Sequence, residues 1–150
     1  MGLGNIFGKD VKRLLIEKGL VAGSVLRIHV NDTNPPKIKY IVIVAIDEKT
    51  ATYATIFINT DINMNVLNTD ELLNLQIELT PENCAAVEHT CYADCSKLAE
   101  RPTSQVVDLV VKKAECHRGQ LSVEHFEDIL SKIKSASTII PAQKEKFNLK

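Results

Sequence analysis

The segment that decides the fold class is IKYIVIVAI, residues 38–46, because β-branched and apolar side chains fall on both of its faces. Such a run is typical of a central strand that is covered on both sides. Residues 24–30 (SVLRIHV) alternate between two faces and predict a half-buried strand before it. Residues 51–59 (ATYATIFIN) follow a polar turn at residues 47–50 and predict the hairpin partner of the central strand.

Helical signals stand mainly at the two ends of the chain. Residues 9–18 (KDVKRLLIEK) predict a short helix that ends at Gly19. Ser122 is a typical N-cap for a second helix. The apolar residues that follow this serine form one stripe at helical spacing: Val123, Phe126, Ile129, Leu130 and Ile133. Single helical turns are expected near residues 70–73 and after Pro141.

Three further segments predict strands from alternation or from β-branched content: residues 75–79, 87–95 and 105–112. Few of the predicted strands are separated by helices, which argues against a parallel sheet. We therefore expect an α+β protein, mainly β, with a small and partly open antiparallel barrel. We expect residues 1–150 to form one domain. In it, a helical extension (1–21) precedes the barrel and its closing helix (22–134), and a polar tail (135–150) follows.

The composition is that of an ordinary globular domain, with 45% apolar and 25% charged residues. A net charge of −1 argues against a protein that binds nucleic acid through bulk positive charge. With no Trp and only 5% aromatic residues, the chain is poorly supplied for stacking single-stranded bases. The charge is uneven, because residues 51–100 hold one basic and eight acidic residues, whereas both flanking segments are net basic.

The longest apolar run, residues 40–46, is too short to span a bilayer. The first ten residues, MGLGNIFGKD, lack the basic and apolar regions of a secretory signal. We therefore expect a cytoplasmic protein with no membrane segment.

Four cysteines occur in the second half of the chain: Cys84, Cys91, Cys95 and Cys116. A zinc site would combine them with the nearby His89 and His117, but zinc ligands usually stand two to four residues apart on a tight turn. Cys91 and Cys95 are expected in one strand, where four residues span about 13 Å, so we expect buried thiols and no metal. A nucleophile and base pair of Cys95 with His29 is a further alternative.

Five short segments occur in an order and rough spacing that resemble the PemK/MazF family of small barrels. They are residues 23–26 (GSVL), 39–44 (KYIVIV), 58–60 (INT), 90–97 (TCYADCSK) and 119–122 (GQLS). The first two correspond to the opening strand and the apolar strand after a proline-containing loop. The third corresponds to the end of the following strand, and the last opens the C-terminal helix.

The resemblance implies an SH3-like barrel with a C-terminal helix, which is often a homodimer in the family. It also implies cleavage of single-stranded RNA without a metal or cofactor, and an antitoxin protein as partner. The residues that match the family's site are Lys39, Thr60, Lys97 and Glu100. Lys39 and Lys97 stand where the family has arginines, and Lys lacks the planar fork that grips two phosphate oxygens.

In such a reaction the cations of Lys39 and Lys97 would stabilise the pentacovalent phosphate, Glu100 would act as the base, and Thr60 would donate a hydrogen bond. Three alternatives stay open. The two lysines are also typical of strand-end residues that protect sheet edges. The barrel is also consistent with a non-catalytic interaction module, in which residues 59–74 meet a protein partner. A small-ligand pocket in the open barrel is the third alternative.

Overall fold

A computed structural model describes residues 3–33, 35–65 and 67–150 of the chain. Met1 and Gly2 of the predicted N-terminal extension, and Asn34 and Val66 in two predicted loops, lie outside the described residues. The helices are α1 (Leu3–Gly19), α2 (Asp70–Asn74), α3 (Thr103–Lys112), α4 (Val123–Ser135) and α5 (Pro141–Lys146), with a 3₁₀ turn at Ala114–Cys116. The strands are β1 (Ser24–Val30), β2 (Lys37–Asp47), β3 (Thr52–Asn59), β4 (Gln76–Leu79), β5 (Cys91–Asp94), β6 (Ala99–Pro102) and β7 (His117–Gln120).

The strands form one antiparallel sheet in the order β4-β5-β3-β2-β1-β7, and β6 also pairs with β3. The pairing shifts register in β2 between Ile43 and Ala45 and in β1 between Val25 and Leu26. Irregularities of this kind bend strands and increase their twist. The sheet curls into a half-barrel, so the predicted α+β class and the partly open antiparallel barrel are confirmed.

Each face of the sheet carries its own apolar core, because residues of the central strands alternate between the two faces. Ile41 and Ile43 of β2 pack on the side covered by α3 and α1. Val42 and Val44 pack on the opposite side, where α4 and the C-terminal residues lie. The run of apolar residues in β2 is therefore explained by two covered faces, as the sequence predicts.

Helix α4 begins where the sequence predicts, because Ser122 caps it. The Ser122 Oγ accepts a hydrogen bond from the His125 amide nitrogen at 3.2 Å. Ile129 and Ile133 are fully buried, whereas Val123 in the first turn is 74% exposed. Among the helices of residues 3–33, 35–65 and 67–150, none has both the length and the apolar content to cross a membrane.

The prediction of a strand over residues 105–112 is wrong, because these residues form α3. Val106, Val107 and Val110 lie on one face of that helix and are buried against the sheet. Tertiary packing of this face outweighs the modest preference of valine for strands. The short strands β6 and β7 are not predicted by the sequence pattern, since each has four residues and an alternating, half-exposed surface.

The C-terminal segment 135–150 packs against the core on the α4 side of the sheet. Phe147 and Leu149 are each 4% exposed and belong to that core. The Lys144 Nζ donates to the carbonyl oxygens of Lys134 at 3.0 Å and Ala136 at 2.7 Å, which satisfies the C-terminal end of α4. This segment therefore carries apolar packing that its polar composition does not indicate.

Candidate functional site

An open cleft of about 590 Å³ lies where β2 begins and β3 ends. Three of the residues singled out by the sequence, Lys39, Thr60 and Lys97, line this cleft. Its other charged lining residues are Arg27, Lys37, Asp61, Glu88 and Asp94. The lining thus holds four Lys or Arg side chains and three carboxylates, so basic groups outnumber acidic ones by one.

Lys97 reaches the cleft because two strands share one edge of β3. The C-terminal end of β3 pairs with β5 through Ile58 and Asn59, and its N-terminal end pairs with β6. The chain turns between β5 and β6, and Lys97 lies in that turn. Phe57 stands in β3 between the two paired regions, so the turn places Lys97 beside the Phe57 ring.

The ammonium groups of both lysines lie within 6 Å of the Phe57 ring. The Lys39 Nζ lies 4.7 Å from the ring centroid and the Lys97 Nζ lies 5.9 Å from it. Cations near an aromatic face are attracted by its quadrupole, by about 0.5–2 kcal/mol depending on solvent exposure. Lys39 also donates a hydrogen bond to the Asn59 Oδ1. Two cations from separate parts of the chain are therefore held near one buried ring.

Arg101 supplies a third cation at the same ring, although it is not among the residues that the sequence singles out. Its guanidinium carbon lies 5.5 Å from the Phe57 centroid, and its side chain is 12% exposed. Arg101 binds both carboxylate oxygens of Asp32, at 3.2 and 3.1 Å. Asp32 stands 69 residues away in the chain, so no local pattern indicates this pair.

Burial, followed by neighbouring positive charge, lowers the pKa of Lys39. Burial lowers the pKa of Lys39 from its ordinary value, and the charges of Lys37 and Lys97 lower it further. The carboxylates of Asp94 and Asp32 act in the opposite direction and raise the Lys39 pKa. An anion bound beside Lys37, Lys39 and Lys97 would reduce the repulsion among them, and the carboxylates Asp61, Glu88 and Asp94 of the same lining would oppose its binding.

Asp94 is a fixed carboxylate at the border of the cleft. It is 5% exposed and accepts hydrogen bonds from the Gln76 Nε2 at 2.8 Å and the Ser96 amide at 3.0 Å. The Ser96 hydroxyl donates to the same oxygen at 2.5 Å. These bonds hold the end of β5 and the beginning of the turn that carries Lys97.

The structure does not bring Glu100 to the other three residues of the predicted site. Glu100 forms an ion pair with the Lys146 Nζ at 2.6 Å and accepts a hydrogen bond from the Gln143 Nε2 at 3.1 Å. Its neighbour Arg101 points to the Phe57 side, and successive side chains of a strand point to opposite faces. Glu100 therefore faces α5, and the base expected from the resemblance is absent from the residues that line the cleft.

His89, which enters the sequence-based expectations only as a candidate zinc ligand, is a cleft residue. It lies in the loop before β5, is exposed and lines the cleft with Lys39 and Lys97. Histidine is the side chain that most often transfers protons in enzymes. The sequence pattern predicts a strand over residues 87–95 that includes His89, whereas β5 begins only at Cys91, so no local signal marks His89 as a cleft residue.

All four cysteines are buried free thiols. Burial raises the pKa of Cys91 to about 11 and that of Cys95 to about 12, so both remain protonated and unreactive at neutral pH. His29 is exposed and Cys95 is fully buried, which argues against the pair as nucleophile and base. Over the ranges that the structure describes, His, Cys, Asp and Glu side chains form no group of three that could hold a metal ion.

The cleft thus combines two lysines near one ring, a threonine hydroxyl and a histidine, which are groups suited to binding and polarising a phosphate ester. Compared with protein-family models and with curated proteins, the chain matches none of them.

Proposed function

We propose that the protein is a PemK/MazF-like endoribonuclease, which binds single-stranded RNA in this cleft and cleaves it without a metal. The observation that carries the proposal is that the ammonium groups of Lys39 and Lys97 both lie close to the Phe57 ring. Thr60 lines the same cleft as these two lysines. These three residues come from separate parts of the chain and match the site of the family that the sequence resembles. A homodimer and an antitoxin partner belong to the same proposal.

In the proposed reaction, the ribose 2′-hydroxyl attacks the neighbouring phosphorus and loses its proton to a base. The bond from phosphorus to the 5′-oxygen breaks, and the leaving oxygen takes a proton from water. The products carry a 2′,3′-cyclic phosphate and a 5′-hydroxyl. Lys39 and Lys97 stabilise the charge on the phosphate, and Thr60 donates a hydrogen bond to it. His89 takes the role of base, which Glu100 cannot fill from its place beside Lys146.

The test is cleavage of an end-labelled single-stranded RNA in the presence of EDTA. We expect slow cleavage by the wild-type chain and a fall of at least about 100-fold for Lys39→Met or Lys97→Met, as for the loss of one transition-state donor. Lys49→Met is the matched control, since Lys49 is exposed in the turn between β2 and β3. Equal rates for all three variants would exclude the cleft as the site of cleavage.

The position of His89 is tested separately. We expect His89→Gln to lower the cleavage rate while RNA affinity is retained, because a base acts in the chemical step. A cleavage rate for His89→Gln equal to that of the wild type would exclude His89 as the base. The proposed roles of Lys39 and Lys97 would not be affected.

A non-catalytic interaction module is the second candidate, and the position of Glu100 is the observation that favours it. With Glu100 bound to Lys146 on another side of the sheet, one predicted catalytic group is lost from the site. The contact would then involve the segment 59–74 named from the sequence, and Met64 of this segment is 59% exposed. RNA binding without cleavage, and a protein that co-purifies with the wild type but not with Met64→Asp, would favour this candidate.

A further inference from the structure

A second and smaller pocket of about 220 Å³ adjoins the cleft, and Arg27 and Ile38 line both. Arg27 lies in β1 opposite Tyr40 of β2, and Ile38 lies opposite His29. Ile38 is 54% exposed. The two cavities therefore meet at one cationic and one apolar residue on the surface of the sheet.

The pocket exists because β7 covers only part of β1. The pairing of these strands ends at Leu26 opposite His117. Beyond Leu26, β1 faces the corner where α3 ends at Lys112 and the 3₁₀ turn Ala114–Cys116 begins. This corner leaves a gap next to the uncovered half of β1.

The inner surface of the pocket is apolar and its charged lining is mainly basic. Ile28 and Cys116 are 5% and 7% exposed, and Leu109 lies beside them. The charged lining residues are Arg27, Lys113 and Arg118 against one carboxylate, Glu115. A volume below the roughly 300 Å³ of pockets for larger ligands fits one flat ring system, and the surrounding cations fit the phosphates attached to it.

We propose that this pocket takes the base of a nucleotide next to the one bound in the cleft, with Arg118 and Lys113 on its phosphate. The inference rests on the proposed RNA binding in the cleft and extends it by one nucleotide along the strand. Arg27 then lies between the two nucleotides, where a bridging phosphate would pass. The apolar lining also compensates for the shortage of aromatic residues, because the base is held by aliphatic contacts.

The lack of tryptophan in the chain makes occupancy of the pocket measurable. Glu115→Trp places a single tryptophan at the pocket, and Glu127→Trp places one on the exposed surface of α4 as the matched control. We expect an RNA hexamer to quench the fluorescence of Glu115→Trp and leave that of Glu127→Trp unchanged. A hexamer with abasic sites should quench neither.

The phosphate contact is measured by the affinity of the same hexamer as salt is varied. We expect Arg118→Glu to weaken binding about tenfold and to reduce the salt slope by about 0.7, the value for one phosphate contact on a single strand. Lys113→Glu should act in the same direction. Lys49→Glu is the control for charge reversal at an exposed lysine. We expect it to change the hexamer affinity and the salt slope less than Arg118→Glu does.

The outcomes separate this inference from the proposed function. Nucleotide binding in the second pocket is contradicted if Glu115→Trp is not quenched and Arg118→Glu binds the hexamer as Lys49→Glu does. If Lys39→Met still weakens hexamer binding in that case, RNA binding in the cleft is retained. If the hexamer does not bind the wild type even at low salt, both proposals fall. Quenching at residue 115 that Arg118→Glu abolishes supports the second pocket.

Discussion

The Arg101 Nε donates a hydrogen bond of 3.1 Å to the Thr55 Oγ1, and the Thr55 hydroxyl in turn donates to the Ala99 carbonyl at 2.8 Å. Thr55 is fully buried, so the chain of bonds is shielded from water. Together with the two bonds to Asp32, it fixes the guanidinium at the Phe57 ring. Arg101 is thus held at the Phe57 ring by hydrogen bonds to Thr55 and Asp32 and is paired with the Asp32 carboxylate.

Replacing Arg101 by lysine tests this arrangement. Arg101→Lys loses the fork that binds Asp32 and leaves the buried Thr55 hydroxyl with fewer partners. We expect a loss of about 1–3 kcal/mol in the free energy of unfolding, measured by urea denaturation. Arg118→Lys, at an exposed position, is the control and should unfold at the wild-type midpoint. Equal midpoints for both variants would show that the Arg101 bonds contribute nothing to stability.

Removing the charge of Lys97 should raise the pKa of Lys39. Burial lowers this pKa first, but Lys97 is one of the two cations that lower it further. In Lys97→Met that repulsion is gone, and NMR titration of the Lys39 side chain should show a higher midpoint than in the wild type. Lys49→Met should leave the midpoint unchanged. A Lys39 midpoint that does not move in Lys97→Met would mean that the two ammonium groups are not coupled.

The same lowered pKa gives a pH dependence of stability with a definite sign. Between the folded pKa of Lys39 and its ordinary value of 10.5, the unfolded chain binds more protons than the folded one. The contribution of Lys39 to the free energy of unfolding therefore increases as pH rises through that window. Urea unfolding of the wild type and of Lys39→Met at several pH values in this window measures this contribution. Parallel plots of the free energy of unfolding against pH for the two proteins would contradict the prediction.

The thiols of Cys91 and Cys95 should resist alkylation in the folded protein. Cys95 is fully buried and Cys91 is 3% exposed, and burial raises the pKa of both. We expect iodoacetamide at neutral pH to label these residues only after denaturation, as judged by mass spectrometry of their peptides. Free cysteine in the same solution serves as the reactivity control. Rapid labelling of folded Cys95 would reopen the question of a cysteine nucleophile.

Phe147 anchors the C-terminal segment in the core, so truncating it should be costly. Phe147→Ala removes a side chain that is 4% exposed, and we expect a loss of about 3–5 kcal/mol in the free energy of unfolding. Lys150→Ala, three residues later and 65% exposed at its side chain, should leave the thermal midpoint unchanged. A Phe147→Ala variant as stable as Lys150→Ala would mean that residues 135–150 are a loosely attached tail.

The elements that the sequence predicted well are those whose signal is local. The hairpin of β2 and β3 follows from two apolar runs around a polar turn, and α4 follows from Ser122 and the stripe behind it. In α3 the local signal misled, because valine content indicates a strand while the spacing of Val106, Val107 and Val110 fits a helix that is buried on one side. The packing of this valine face against the sheet decides between a strand and a helix.

In the candidate site, too, some residues are indicated by the sequence and the placement of others is decided by the fold. Lys39, Thr60 and Lys97 were singled out by resemblance, and the fold brings them to one cleft. Glu100 was placed with them by the same resemblance, but strand alternation turns it toward α5.

The sequence by itself determined an antiparallel α+β protein, because hydrophobic periodicity and capping depend on neighbours in the chain. The tertiary structure alone decided which charges meet. Asp32 and Arg101 are far apart in the chain, and Lys97 reaches Phe57 only because β5 and β6 share one edge of β3. Electrostatic interactions act through distance in space, so the composition of the cleft appears only once the sheet has curled.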